Sequence, residues 1–171
     1  MMPKTMRFTE LLSSYEGEIY RYVYRMTGNP DDARDLLQDT FLRAFEAYAR
    51  LPENANHRAW LYKIAYRRTL NHFRSTRRRA AAPMEQAKGV QDEQGNPESL
   101  SETRRLVRAL NRLIHELTPR QRSALLLKKY EGLSYRSVAA ILGVTEENAR
   151  AHVYQAMRKV RNGLRSEETK K

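Results

Sequence analysis

Residues 117–161 read LTPRQRSALLLKKYEGLSYRSVAAILGVTEENARAHVYQAMRKVR, and the punctuation of this stretch decides the fold. Gly132-Leu133-Ser134 interrupts an apolar run, and Ser134 can cap a helix over Tyr135–Leu142. Gly143-Val144-Thr145 then makes a tight turn, with Thr145 as the cap of a longer helix from Glu146 to about Asn162. Small Ala139 lets the two helices approach, while Val138, Leu142, Val144, Ala149 and Val153 fill the angle between them. That pattern is a helix-turn-helix. Its last helix leaves Arg150, His152, Tyr154, Gln155, Arg158, Lys159 and Arg161 on the remaining faces, residue types that touch phosphates and base edges in a major groove. Upstream, Arg120 to Tyr130 predicts a helix with Leu125, Leu126 and Leu127 inside. A further stripe of Leu106, Leu110, Leu113, Ile114 and Leu117 ends at Thr118-Pro119.

Working outward, charge divides the 171-residue chain. Residues 1–79 carry a net +6, residues 80–102 a net −4 and residues 103–171 a net +10, for +12 in all. The middle stretch, AAAPMEQAKGVQDEQGNPESLSE, has two prolines, two glycines and hardly a large apolar side chain. Such a composition cannot bury enough surface to offset its ordering entropy, so it predicts a linker between two small all-helical domains, 1–79 and 103–171. The basic surplus favours a polyanionic partner and weighs against a helical hairpin without DNA affinity. There is no cysteine, which excludes disulfides and thiolate metal sites. No apolar run suggests a signal peptide or a membrane span, so a cytoplasmic protein without membrane insertion is expected.

In the first block, Phe8 to Met26 places Leu11, Leu12, Tyr15, Ile19, Tyr22, Val23 and Met26 at helical spacing. Gly28-Asn29-Pro30 ends that helix and starts the next, with Asn29 as cap and Asp31 and Asp32 at the positive end of the dipole. The second helix is expected to bury Ala33, Leu37, Phe41, Ala44 and Tyr48, and to expose Asp35, Gln38, Asp39, Arg43 and Glu46. After a loop over Pro52–His57, a third helix turns Trp60, Leu61, Ile64, Ala65 and Phe73 inward. Its other side reads as Arg58, Lys63, Arg67, Arg68, Arg74 and Arg77 to Arg79, with Tyr62, Tyr66 and His72 among them. Cations for phosphate beside aromatic faces for unstacked bases is the combination found in single-strand binding, although a solvated arginine-rich helix explains it equally well.

DARDLLQDTFLRAF (32–45) followed by RAWLYKIAYRRTLNHFR (58–74) resembles region 2 of the extracytoplasmic-function sigma factors, and residues 117–161 resemble region 4 of the same group. The resemblance implies that Asp35, Leu36, Gln38 and Asp39 dock on the β′ clamp of core RNA polymerase. It implies −10 DNA binding by Asn54, His57, Arg58, Lys63, Tyr66, Arg67, Asn71 and Arg74. For the −35 element it implies Arg136, Asn148, Arg150, Ala151, His152, Tyr154, Gln155, Arg158 and Lys159. Core polymerase (β′ clamp and β flap) and promoter DNA are the implied partners, an anti-sigma protein is left open, and neither enzyme activity nor a cofactor is implied. Arg67, Asn71, Ser137, Glu147, His152 and Gln155 depart from or vary within the usual family pattern, which bears on promoter sequence rather than fold.

Two rival readings compete with this one. Asp31, Asp32 and Asp35 spell DDxxD, a magnesium–diphosphate motif, but that chemistry needs a second acidic motif and a large apolar cavity. Helix N-terminal charge explains these acids without it. His57, His72, His115 and His152 are scattered singly and make no metal-ligand pair. The other rival is a helix-turn-helix regulator that binds duplex DNA without polymerase, which leaves the acidic face of the second helix without a task.

Overall fold

The structure, a computed structural model, describes residues 4–81 and 102–169. All regular elements among them are helical, as the periodicity predicts. The chain divides into two compact units, Met1–Val90 and Gln91–Lys171. Most of the expected linker, residues 82–101, lies outside the described residues. Its edges are helical: Ala80 and Ala81 close one helix and Glu102 opens the next.

The first unit is three helices, α1 (Lys4–Thr27), α2 (Pro30–Tyr48) and α3 (His57–Ala81). Asn29 caps α2, its Oδ1 accepting from the N–H groups of Asp31 at 2.9 Å and Asp32 at 3.1 Å. Gly28 before it has φ 71°, a left-handed conformation that favours glycine. The core is Phe8, Ile19, Tyr22, Val23 and Met26 of α1, Ala33, Leu36 and Ala44 of α2, and Leu61, Tyr62, Ala65 and Tyr66 of α3. Tyr22 and Tyr62 meet edge to face, their centroids 5.2 Å apart. On α2 the buried line is Ala33, Leu36, Thr40 and Ala44, whereas Leu37, Phe41 and Tyr48 are only half-buried. Because α2 packs on both α1 and α3, its buried wedge takes in Thr40, a position that polarity alone assigns to the outside.

The second unit comprises α4 (Glu102–His115), α5 (Pro119–Leu125) continued by a π-helical turn (Leu126–Tyr130), α6 (Tyr135–Leu142) and α7 (Glu146–Thr169). Leu125, Leu126 and Leu127 are all buried, as expected, and Ile114, Leu117, Leu125 and Ala156 form a cluster against which Leu110, Met157 and Val160 pack. The anticipated caps are present. Ser134 Oγ accepts from Ser137 N–H and Thr145 Oγ1 from Asn148 N–H, each at 3.1 Å. Thr118 caps α5 through Gln121 N–H at 3.3 Å. Gly143, at φ 66°, makes the left-handed turn between α6 and α7.

Arg122, buried in α5, donates from Nε to the carbonyl of Ile114 at 3.0 Å and from Nη2 to those of His115 and Leu117. Burial pushes its guanidinium down to about 10, which still leaves it charged at neutral pH. Burial, and then the neighbouring Arg122, hold the His115 imidazole down at about 4.

Two expectations change. Leu106, placed on the buried stripe of α4, is 47% exposed beside exposed Val107. A Cβ on Gly163 would meet Leu113, and Arg112 pairs with Glu167 at 3.3 Å, so α4 and α7 run antiparallel. In that register Leu106 lies beyond the reach of Thr169, the last described residue of α7. Secondly, α7 runs past Asn162 straight through Gly163.

A Cβ on Gly163 would run into Leu113 Cδ2 and lie 2.9 Å from its Cδ1. Gly→Ala inside a helix ordinarily stabilises by about 1 kcal/mol. Here Gly163→Ala is expected to destabilise by roughly 1 kcal/mol, because overpacking outweighs propensity, and Leu113→Ala in the same chain should restore the usual sign. Denaturant unfolding of the two single variants and the double variant checks this. A folded pKa of about 4 for His115, against 6.5 in the unfolded chain, means stability that is present above pH 6.5 and lost as pH falls toward 4. An NMR titration should find His115 neutral at pH 6, and a midpoint near 6.5 would refute the burial argument.

Candidate polymerase and nucleic-acid interfaces

Three exposed faces emerge, each built differently from the sequence expectation. On α2, Asp35 and Gln38 are exposed as predicted. Leu36 is not on that face, being buried in the core. Asp39 is half-buried and forms an ion pair with Arg68 of α3, with Arg43 Nε 4.0 Å away. What joins Asp35 and Gln38 is apolar: Leu42 is 56% and Phe45 55% exposed, one and two turns further along the same side. An apolar pair among polar neighbours at i, i+3, i+7 and i+10 is the composition of a docking surface rather than a solvated one. Neither is legible in the sequence, where apolar side chains on a helix read as core.

The basic side of α3 also separates into two sets. Arg58 and Tyr62 both reach back to Glu18 of α1, which accepts from Arg58 Nε at 2.5 Å and from the Tyr62 hydroxyl at 2.7 Å. Arg68 serves Asp39, and His72 Nε2 lies 3.4 Å from Asp32. Tyr62 and Tyr66 are buried, which removes both from any stacking role; the Tyr66 hydroxyl has no hydrogen-bond partner among the described residues. The set facing outward is Arg67, Asn71, Arg74 and Arg77 to Arg79, with Lys63 half-buried. Asn71, Arg74, Arg77 and Arg78 border an open recess of about 660 Å³. Ahead of α3, Asn54 is exposed and His57 half-buried, 6.2 Å from the Tyr48 ring. Asn56, which the sequence reading left inside a loop, caps α3 by accepting from Ala59 N–H at 3.0 Å.

On α7 the side opposite buried Ala149, Val153 and Ala156 carries Glu147, Ala151, Tyr154 and Arg158, with Tyr154 67% exposed. Arg150 is held on one flank. Its Nη2 donates to Glu146 Oε1 at 2.8 Å, and its guanidinium sits 4.3 Å from the centroid of the Tyr135 ring. Lys128 Nζ approaches the same ring at 4.6 Å. On the other flank Gln155 and Lys159 are exposed yet bonded to Gln121 of α5. His152 is half-buried with no partner for its Nδ1 among the described residues, and burial followed by Arg120 lowers its pKa. Arg136 and Asn148 are exposed. Among the described residues no group of three or more His, Asp or Glu side chains is arranged to hold a metal, and no helix is long and apolar enough to cross a membrane. The DDxxD acids disperse, Asp31 toward Arg34 and Asp32 toward His72.

Residues 11–79 match the family described as Sigma-70 region 2, and residues 107–160 match Sigma-70, region 4. The chain belongs to the sigma-70 family, in its extracytoplasmic-function (ECF) group. Similar to it is the ECF RNA polymerase sigma factor SigE of Mycolicibacterium smegmatis, 33% identical over 156 residues that cover 91% of this chain and 60% of that one. The RNA polymerase sigma factor YlaC of Bacillus subtilis is 27% identical, over 91% of this chain and 90% of its own. The chain thus spans about three fifths of the first relative and nearly all of the second. In fold, this sigma-70 family member resembles the sigma factor RpoE of Bartonella quintana, solved with the anti-sigma factor NepR (TM-score 0.71, 22% identity, 93% and 97% of the two chains).

Asp39, paired with Arg68 of α3, and the Leu42/Phe45 patch share α2 but make opposite predictions. Asp39→Arg sets two arginines against each other across a half-buried packing surface and should cost the first unit about 2 kcal/mol. Leu42→Asp changes only exposed surface and should stay within about 0.5 kcal/mol of the parent. Equilibrium unfolding of the two variants decides between them.

Proposed function

We propose that this chain binds core RNA polymerase and carries it to promoters, region 2 engaging the polymerase and the −10 element and region 4 the −35 element. The observation that carries the reading is the pairing of two sigma regions, in order, on two helical units with unlike exposed faces. On the first, Asp35, Gln38, Leu42 and Phe45 offer the polymerase clamp a mixed apolar and acidic surface. Lys63, Arg67, Asn71 and Arg74 offer DNA a basic line on another helix of that unit. Exposed Asn54 and half-buried His57, at the start of α3, extend the −10 side. Arg58 and Tyr66 support it from within rather than by contact. On the second unit, Ala151, Tyr154 and Arg158 face a major groove, flanked by Arg150, His152, Gln155 and Lys159, with Arg136 and Asn148 nearby. Residues 80–102 would connect 1–79 to 103–171 inside the holoenzyme. The role asks for no bond chemistry from this chain and no cofactor. It places the protein in the cytoplasm, where an anti-sigma protein, like the one bound to the Bartonella relative, would compete for the same faces.

In vitro transcription with core polymerase and a promoter library tests this. The chain should yield discrete starts that core polymerase alone does not, and Leu42→Asp should lose both polymerase co-purification and those starts while remaining folded. If the chain instead binds duplex sites tightly on its own and leaves polymerase unaffected, it is a regulator and the reading is wrong.

A further inference from the structure

We infer that Gln121, which lies on α5 and outside the recognition helix, determines which base Gln155 accepts by fixing the direction of its side-chain amide. The inference rests on the reading of α7 as the helix that enters the −35 major groove.

The direction follows from chemistry. Lys159 Nζ lies 3.1 Å from the Gln121 amide. An ammonium only donates, so the Gln121 atom facing it must be the carbonyl oxygen Oε1. That turns Gln121 Nε2 the other way, toward Gln155 at 3.0 Å. An NH₂ group only donates, so Gln155 must answer with its own Oε1. One lysine therefore sets both amides. The arrangement has little freedom to reverse, because Gln121 is only 9% exposed and its backbone N–H is engaged by the Thr118 cap.

Gln155 is exposed, and its Nε2 has no partner among the described residues. With Oε1 turned back to Gln121 and one of its two lone pairs engaged there, Gln155 leads into a groove with its NH₂. The two-point pairing of glutamine with adenine needs oxygen and nitrogen to face the base together, so it is disfavoured. The remaining choices are acceptors: guanine O6 and N7, thymine O4 or adenine N7. Cytosine, which shows a donor, is disfavoured. Specificity at this position is thus written partly in α5.

The test uses the full chain with core polymerase on promoters randomised over the −35 element, sequencing the bound fraction. The parent chain should disfavour cytosine at one base. Gln121→Glu places a carboxylate that accepts from Lys159 and from Gln155 Nε2, which turns Gln155 Oε1 outward. Cytosine at that base should then gain roughly fivefold over the parent, the lower end of what a good base contact is worth. Gln121→Met keeps the length but frees both ends of Gln155, and adenine should become preferred. With Gln155→Ala also present, Gln121→Glu should no longer move the base preference. An unchanged preference in both Gln121 variants, or a loss spread evenly over the library, overturns the inference. A parent chain with no selectivity over the randomised element would instead remove the −35 reading itself, and the inference with it, before any variant is compared.

Discussion

The guanidinium of Arg122 is the constraint on which the second unit hangs. The last carbonyls of α4 have no partner within their own helix, and the chain must turn at once into α5, so water cannot reach them freely. Arg122 comes from α5 itself and answers two of those carbonyls, Ile114 and His115, and that of Leu117 in the turn, with a group whose donors lie in a fixed plane. Its positive charge also sits at the negative end of the α4 dipole. Desolvating an arginine costs several kcal/mol, but three charge-assisted bonds at roughly 1.5–3 kcal/mol each are enough to offset it. The angle between α4 and α5 is thereby fixed, and both helices pack on α7. The helix proposed to read DNA is oriented by a residue buried behind it.

In the first unit charge has been divided between two tasks. Arg58, Arg68 and His72 point at Glu18, Asp39 and Asp32 on the other two helices, which makes the acids of α1 and α2 cross-braces for α3. The cations left over are the half-buried Lys63 and the exposed Arg67, Arg74 and Arg77 to Arg79. A helix with a large basic surplus therefore presents only part of it outward, and net charge alone overstates the polyanion-binding surface.

The parts of the fold that depend on local chemistry were legible in the sequence. Asn29, Thr145 and Ser134 act as caps because a short polar side chain after a break can reach the free N–H groups of the next turn, and Gly143 turns left-handed because few other residues can. The parts that depend on tertiary neighbours were not. Periodicity locates a buried side of α2 but not its width, so it picks half-buried Leu37 and passes over buried Leu36, which the resemblance alone places on the docking face. The alternation of basic and aromatic residues in α3 read as one mixed surface, when Tyr62 and Tyr66 belong to the core. Gly163 reads as a helix end, yet it marks close approach to Leu113. Apolar Leu42, Phe45 and Leu106 are exposed, and no pattern in a single helix distinguishes a side chain awaiting a neighbour from one that has it.

Tyr135 has a consequence for binding thermodynamics. With the ring beneath it and Glu146 beside it, the Arg150 side chain is ordered in the free protein, although 58% of it is open to solvent. Immobilising a side chain with that many rotamers costs about 0.5–1.5 kcal/mol when it happens during association. Here that ordering belongs to folding instead. A partner that takes up this guanidinium meets a smaller entropy penalty, and exchanges the Glu146 bond for its own. Losing the ring would therefore show itself as a more unfavourable binding entropy with little change in the contacts of the bound state.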